Sequence, residues 1–578
     1  MNPKLIPFRT ISLFLFLSFL FICCNSTSEK ETASLIFENG ILHTVDPNNP
    51  SATAIAVTGN KITAVGTNEE INAFKGEDTK IIDLEGNCLI PGLIEGHGHY
   101  SGLGSSLVNL NFLASKNWQE IIDMVAAKVE EVEDGEWIIG RGWHQEKWDT
   151  PLDREVNGYP YHFALSQVSP NNPVFLNHAS GHAAFANAKA MELAGVSRET
   201  PDPRGGKIIR NPNGDPIGVF EETAEEILDV AYEEYTSGLS AEQLHQEWLK
   251  QLKLAEKECL ENGITSFHDA GASLKRVNQY KELAEAGELG VRLWVMMADS
   301  IHKMEASAPD FPIVDVGNGF FTCRSIKSYI DGALGSYGAW LLKPYNDSPD
   351  FHGQNVRPVK DIIRISEIAI KNGLQHCVHA IGDRANREVL NIFEAAFSAN
   401  PEVEDPRWRI EHAQHVNTND ILRFGPLGVI ASIQGIHCTS DAPFVEKRLG
   451  LERARDEAYP WRSFLDAGAS IANGTDAPVE DISPIECYYA LVSRKRIDNG
   501  MEFFTEQRMT RLEALRSYTL DNAYAAFEEE VKGSLEVGKL ADFTILSNDI
   551  INCTEDEILD TKILYTVIDG VIKYDASE

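Results

Sequence analysis

The chain has 578 residues, of which 43% are hydrophobic and 24% charged, and it contains no low-complexity tract. That composition excludes an intrinsically disordered protein and supplies enough apolar material for a large core. The formal charge of −36 repels phosphate backbones, and no Lys/Arg cluster overrides it, so nucleic acid is excluded as an expected partner.

In chain order, residues 1–23 read as a signal peptide: Lys4 and Arg9 precede the apolar run ISLFLFLSFLFI. That run is too short to cross a bilayer of about 30 Å as a helix. The pair Cys23-Cys24 stands where a small-residue cleavage site is usual. This resembles a bacterial lipoprotein signal, which implies a lipid-modified Cys24, a tether over 24–32, and an exported protein anchored to a membrane on the periplasmic side or at the cell surface. An ordinary secretory signal is the alternative. The remaining cysteines, Cys88, Cys259, Cys323, Cys377, Cys438, Cys487 and Cys553, are scattered and never spaced C-x-x-C. Neither a disulfide framework nor a cysteine zinc knuckle is expected.

Residues 33–92 carry hairpin signals, with β-branched residues flanking Asn39-Gly40 and Gly59-Asn60. The same character returns over 531–578 in GSLEVGKLADFTIL and ILYTVIDGVIKY, with Asp569-Gly570 at a turn. The two ends predict one β-sandwich domain split between the termini.

Between them, residues 93–530 alternate amphipathic helical stretches with eight short apolar runs: LIPGLIEGHGH, GITSFHDAG, VRLWVMMAD, RSIKSYIDG, LQHCVHAIGD, WRIEHAQH, GVIASIQG and SIANGTDAP. This rhythm predicts an α/β fold, a (β/α)8 TIM-like barrel with its active site at the carboxyl ends of the strands. The long interval after the first run predicts an inserted α/β subdomain over 105–258, on the active-site rim.

The runs end in polar groups. His97 and His99 stand at i and i+2, so a strand projects both to one face, where two imidazoles can share a cation. Lys327, with Tyr329 and Asp331 at matching parity, ends the fourth run; His379, His412 and Asp476 end the fifth, sixth and eighth. His376 and His415 lie three residues from His379 and His412 and are expected to face the helices. His268 is a pocket-wall or functional candidate, His182 in the insertion a substrate contact or a loop anchor, and Trp143, Trp148 and Trp340 either mark an apolar group near the reacting carbon or pack the insertion onto the barrel. His43, His144, His162, His178, His245, His302, His352 and His437 receive no role.

The motifs PGLIEGHGH, IKSYIDGALGS, HAIGDRA, RIEHAQH, GTDAPVE and GSLEVGKLADF, in this order, resemble the amidohydrolase superfamily, specifically its amidohydrolase-3 or YtcJ-like branch, which includes N-substituted formamide deformylases. The resemblance implies a divalent metal site, with zinc expected and one or two ions per chain. His97, His99 and Asp476 would hold the first ion, and His379 and His412 the second. Lys327, carboxylated by carbon dioxide, would bridge them. It implies a hydrolase cleaving a carbon–nitrogen bond of a small amide-type substrate by attack of metal-bound hydroxide, with Asp476 moving the proton; His182, His268, Trp143 and Asp331 are expected as substrate contacts from their positions alone. Alternatives are an ester, lactone or phosphoester hydrolase on the same site, or an inactive lipid-anchored binding protein. A homodimer is compatible with these readings.

Overall fold

In the computed structural model, residues 32–577 are described, apart from residue 239. The signal and the proposed anchor at Cys24 lie outside the described residues. Eight parallel strands form the central sheet: β1 (Leu93–Gly98), β2 (Ile264–Ala272), β3 (Arg292–Met297), β4 (Phe321–Tyr329), β5 (Gln375–Ala380), β6 (Arg409–His412), β7 (Ile430–Gln434) and β8 (Ile471–Gly474). Each pairs with its neighbour in chain order, giving the α/β barrel that the eight apolar runs predict. The strands are buried along nearly their whole length, which explains their continuous rather than alternating hydrophobicity.

The enclosing helices follow from their sequences. Val359–Lys371 buries Ile362, Ile365, Ile368 and Ala369 on one stripe. Ala241–Glu261 starts with a capping box made by Ser240 and Gln243, and it buries Trp248, Leu252, Ala255 and Cys259. It ends at Asn262-Gly263, where Gly263 takes a φ of 77°.

The first and last strands meet at a seam. The Asn522 side-chain amide donates to Ile94 O and to Asn473 O, both at 2.7 Å, and its oxygen accepts from Asn473 N at 2.9 Å. Further along, Asp476 N donates to His97 O at 2.8 Å and His99 N to Ala477 O at 2.6 Å. The glycines of GHGH are needed here: a Cβ at Gly96 would lie 2.3 Å from Asn522 Oδ1 and 2.5 Å from Asn473 O.

After β1 the chain builds a separate six-stranded sheet from residues 110 to 222, with cores around Trp143, Tyr159 and Phe185 and around Trp137, Phe175 and Phe220. Its last helix is Glu226–Thr236. The helix Ala241–Glu261 packs instead on Tyr100–Ser106 and β2, so the inserted layers end about twenty residues before the expected boundary at 258. At the termini, the six-stranded sheet pairs Ile41–His43 with Cys88–Pro91 and the latter with Phe543–Leu546. A four-stranded sheet comes from N-terminal strands alone. Phe37, Val57, Leu89, Phe543 and Val567 share one core between them. Arg292 at the start of β3 joins this domain to the barrel through Asp542 at 2.8 Å and Asp569 at 2.5 Å.

Candidate metal centre

His97, His99, Lys327, His379, His412 and Asp476 come together at the carboxyl ends of five strands. The His97 Nδ1 lies 2.5 Å from Glu411 Oε2, and Glu411 is held by Arg409 Nε at 2.7 Å. This commits one face of the imidazole and turns Nε2 inward, 3.5 Å from Lys327 Nζ and 3.6 Å from Asp476 Oδ1. His99 Nε2 is 3.2 Å from the same oxygen. His412 Nδ1 sits 2.7 Å from Gln434 Oε1, and its ring centroid is 4.8 Å from that of His97 and 4.3 Å from that of His379.

Two of these residues have left-handed backbones, with φ of 75° at His412 and 62° at Asp476. Such conformations cost on the order of 1–3 kcal/mol each in non-glycine residues and persist where the surroundings enforce them, as at functional sites. Here the turn lets His412 enter the centre although Glu411, its neighbour, also reaches inward to His97.

Burial and surrounding charge set the protonation states. Burial lowers the pKa of His97, His379 and His412 well below the usual imidazole value, aided by Lys327 beside His97, His412 beside His379, and His97 beside His412. Neutral imidazoles keep a lone pair for a cation. Burial would raise the Asp476 carboxyl, but His97 and His99 overcome it and hold it well below the carboxylate range. Donor atoms of His97, His412 and Asp476 all lie within 4.8 Å of one another. His379 Nε2 is buried without a hydrogen-bond partner among the described residues, and Asp476 Oδ1 faces only the two imidazoles of His97 and His99. Buried donors of these types fit a divalent cation.

The centre opens into a cavity of about 850 Å³ between the barrel mouth and the insertion. His182 lines it, with Nδ1 2.9 Å from Glu222 Oε2 and its ring 5.0 Å from that of His379.

Three of the expected substrate contacts lie elsewhere. Trp143 is fully buried in the insertion core and donates its indole N–H to Leu176 O at 2.9 Å; the large apolar side chain has a better-packed home there than at the cavity. His268 packs on Trp294 with its Nδ1 3.3 Å from Arg409 Nη1, beneath the centre. Asp331 accepts the backbone N–H groups of Trp340, Ile381 and Gly382 at 2.8–2.9 Å. It fixes the loops after β4 and β5, while burial raises its carboxyl to about 7. His376 is held between Ser328 and Ser366 at 2.7 and 2.9 Å, and His415 packs on Tyr459; neither lines the cavity.

Sequence reasoning missed Glu411, which strict alternation places opposite His412. It also missed the cavity residues Arg141, His178, Glu222 and His437. No periodic signal in the insertion marks which of its side chains face the barrel. The polar run RIEH, with two charges flanking a strand residue, was the available hint for Glu411.

An eight-stranded barrel with imidazoles and an acid converging as buried donor atoms is the framework of a metal-dependent hydrolase. The chain belongs to the amidohydrolase family, the Amidohydro_3 group, which matches residues 80–574. It is 34% identical to Protein LONG AFTER FAR-RED 3 of Arabidopsis thaliana over 89% of this chain and 87% of that one. It is 28% identical to the N-substituted formamide deformylase of Arthrobacter pascens over 94% of this chain and 98% of that one. Among solved structures, a metal-dependent hydrolase from Pyrococcus horikoshii OT3 superposes with a TM-score of 0.71 at 25% identity, covering 90% of this chain and 99% of that one. The resemblance drawn from the motifs is thereby confirmed.

Proposed function

We propose that the protein hydrolyses an amide-type carbon–nitrogen bond of a small molecule at this centre. His97, His99 and Asp476 would hold one divalent cation and His379 and His412 a second, with carboxylated Lys327 between them. The observation that carries the reading is the convergence of donor atoms from His97, His412 and Asp476, all buried and within 4.8 Å of one another, beside the unpartnered Nε2 of His379. The near full-length likeness to an N-substituted formamide deformylase supports the choice of bond. Neutral imidazoles with carboxylate ligands suit zinc. When bound, such a cation polarises the substrate carbonyl and makes water acidic enough to attack at neutral pH.

The chain's own groups do the rest. Glu411 and Gln434 fix the ring orientations of His97 and His412, each through an Nδ1 contact, so that both present Nε2. Asp476 takes the proton of the attacking water and returns it to the leaving nitrogen: a carbon–oxygen bond forms, the carbon–nitrogen bond breaks, and acid and amine depart. His182, with Nδ1 committed to Glu222, presents its other nitrogen to the substrate beside His379. The insertion roofs the cavity and limits bulk water. The N-terminal signal supports export and a lipid anchor at Cys24.

Metal analysis of the purified protein, with a screen of N-substituted formamides and other amides on wild type beside Asp476→Asn, tests this. Two metals per chain and turnover abolished in the variant are expected. Turnover that survives the substitution rejects Asp476 as the proton carrier, and one metal per chain removes Lys327 from the bridging position.

A further inference from the structure

Arg141 lies on the insertion strand Ile138–Trp143 and lines the cavity together with His99, Pro478 and Glu480. Its Nη1 is buried and has no hydrogen-bond partner among the described residues. Its Nη2 makes one long contact, 3.4 Å to Ala179 O. Three other buried guanidinium groups each have an acid: Arg292 has Asp542 at 2.8 Å, Arg409 has Glu411 at 2.7 Å, and Arg448 has Glu146 at 2.7 Å; Arg494, which has none, donates instead to Phe503 O at 2.9 Å and Tyr459 O at 3.0 Å. The acids that act on Arg141 through space are Asp476, Glu480 and Asp481; none forms an ion pair with it among the described residues, and the first two are engaged elsewhere. Asp476 pairs with His99 at 3.2 Å, and Glu480 with Lys147 at 3.0 Å and Ser440 at 2.6 Å.

A guanidinium removed from water without an anion is costly. Its planar fork matches a carboxylate with two parallel N–H···O bonds. We infer that Arg141 binds a carboxylate of the substrate, so that the molecule hydrolysed is an amide bearing a free carboxylate on the amine side of the bond that breaks. This rests on the amide-hydrolysis reading for the reacting end of the substrate and adds the other end. Burial lowers the Arg141 guanidinium to about 10, which leaves it a cation at neutral pH. On the Glu222 side of the cavity, burial raises Glu225 well above the carboxylate range and Asp229 to about 6, so those acids oppose an anionic ligand less than their number suggests.

The test uses the metal-loaded protein and N-formyl and N-acetyl derivatives of glycine, leucine and phenylalanine, each beside its neutral C-terminal carboxamide. Binding is read by calorimetry and turnover by amine release, for wild type, Arg141→Gln and Arg141→Lys. At least one acid is expected to bind wild type about tenfold or more tighter than its carboxamide. Arg141→Gln should erase that preference while carboxamide affinity stays unchanged, and Arg141→Lys should restore part of it. Equal binding of acid and carboxamide by wild type overturns the inference. So does a preference that survives Arg141→Gln, which would place the carboxylate on the metal centre. Loss of both ligands in that variant marks a structural role and overturns it too. Arg141-dependent carboxylate binding without amide turnover rejects the amide reading and keeps the site; amide turnover without such dependence does the reverse.

Discussion

Glu411 Oε2 lies 2.5 Å from Nδ1 of His97, although the two residues come from strands that are not neighbours in the barrel. Burial works against the Glu411 charge, and Arg409 overcomes it, so its carboxyl titrates below the ordinary value. The carboxylate therefore fixes which imidazole nitrogen faces the centre. Glu411→Gln should weaken metal affinity by about 10–100-fold, the usual cost of losing such a partner. Competition against a chromophoric chelator measures this; unchanged affinity would remove Glu411 from the ligand-orienting role.

Asp476→Asn is a mild change for the backbone, because asparagine tolerates the left-handed conformation found there, φ 62°. It should lower kcat by roughly 10²–10⁴-fold with the melting temperature of the protein little changed. Steady-state kinetics beside calorimetry separate the two effects, and a variant that loses activity only because it unfolds would show a collapsed transition.

The seam has no room for a side chain at Gly96, where a Cβ would lie 2.3 Å from Asn522 Oδ1. Gly96→Ala should cost about 1–3 kcal/mol from overpacking and displace the Asn522 bridges. Urea midpoints measure the cost, and a midpoint equal to wild type would mean that the seam yields.

The ion pair of Arg292 with Asp542 is buried on both sides, at 2% and 4% exposure. Arg292→Ala strands a buried carboxylate and should destabilise by about 3–5 kcal/mol. Burial raises the Asp542 carboxyl and Arg292 more than offsets it, so the folded value lies below the ordinary one. A depressed carboxyl stabilises above its unfolded value, near 3.9, and that stability is lost as pH falls through the lower folded value. Wild type should therefore lose this contribution below about pH 4 and Arg292→Ala should not; matching pH profiles of the urea midpoint would contradict it.

The barrel was legible because its strands are short apolar runs and its chemistry sits where each run turns polar: His97, His99, Lys327, His379, His412 and Asp476 all carry that signature. Alternation then failed at one place. It assigns Glu411 and His412 to opposite faces, whereas the left-handed φ of 75° at His412 lets both reach the centre. The sequence leaves Trp143 open between core and ligand, because an aromatic residue in an insertion serves either with the same pattern, and only packing decides. Arg141 was invisible for a related reason: its meaning lies in the partner it lacks, and sequence does not record missing partners.

Asn522, which bridges the first and last strands at Ile94 and Asn473, is followed in the chain by little more than the closing β-strands. Most of the barrel must therefore be synthesised and held open before its two edges can be joined, and the loop being closed is among the longest the chain can form. A nascent chain interrupted before residue 522 carries His97, His412 and Asp476 yet lacks the Asn522 bridges that join the strands ahead of His97 and Asp476.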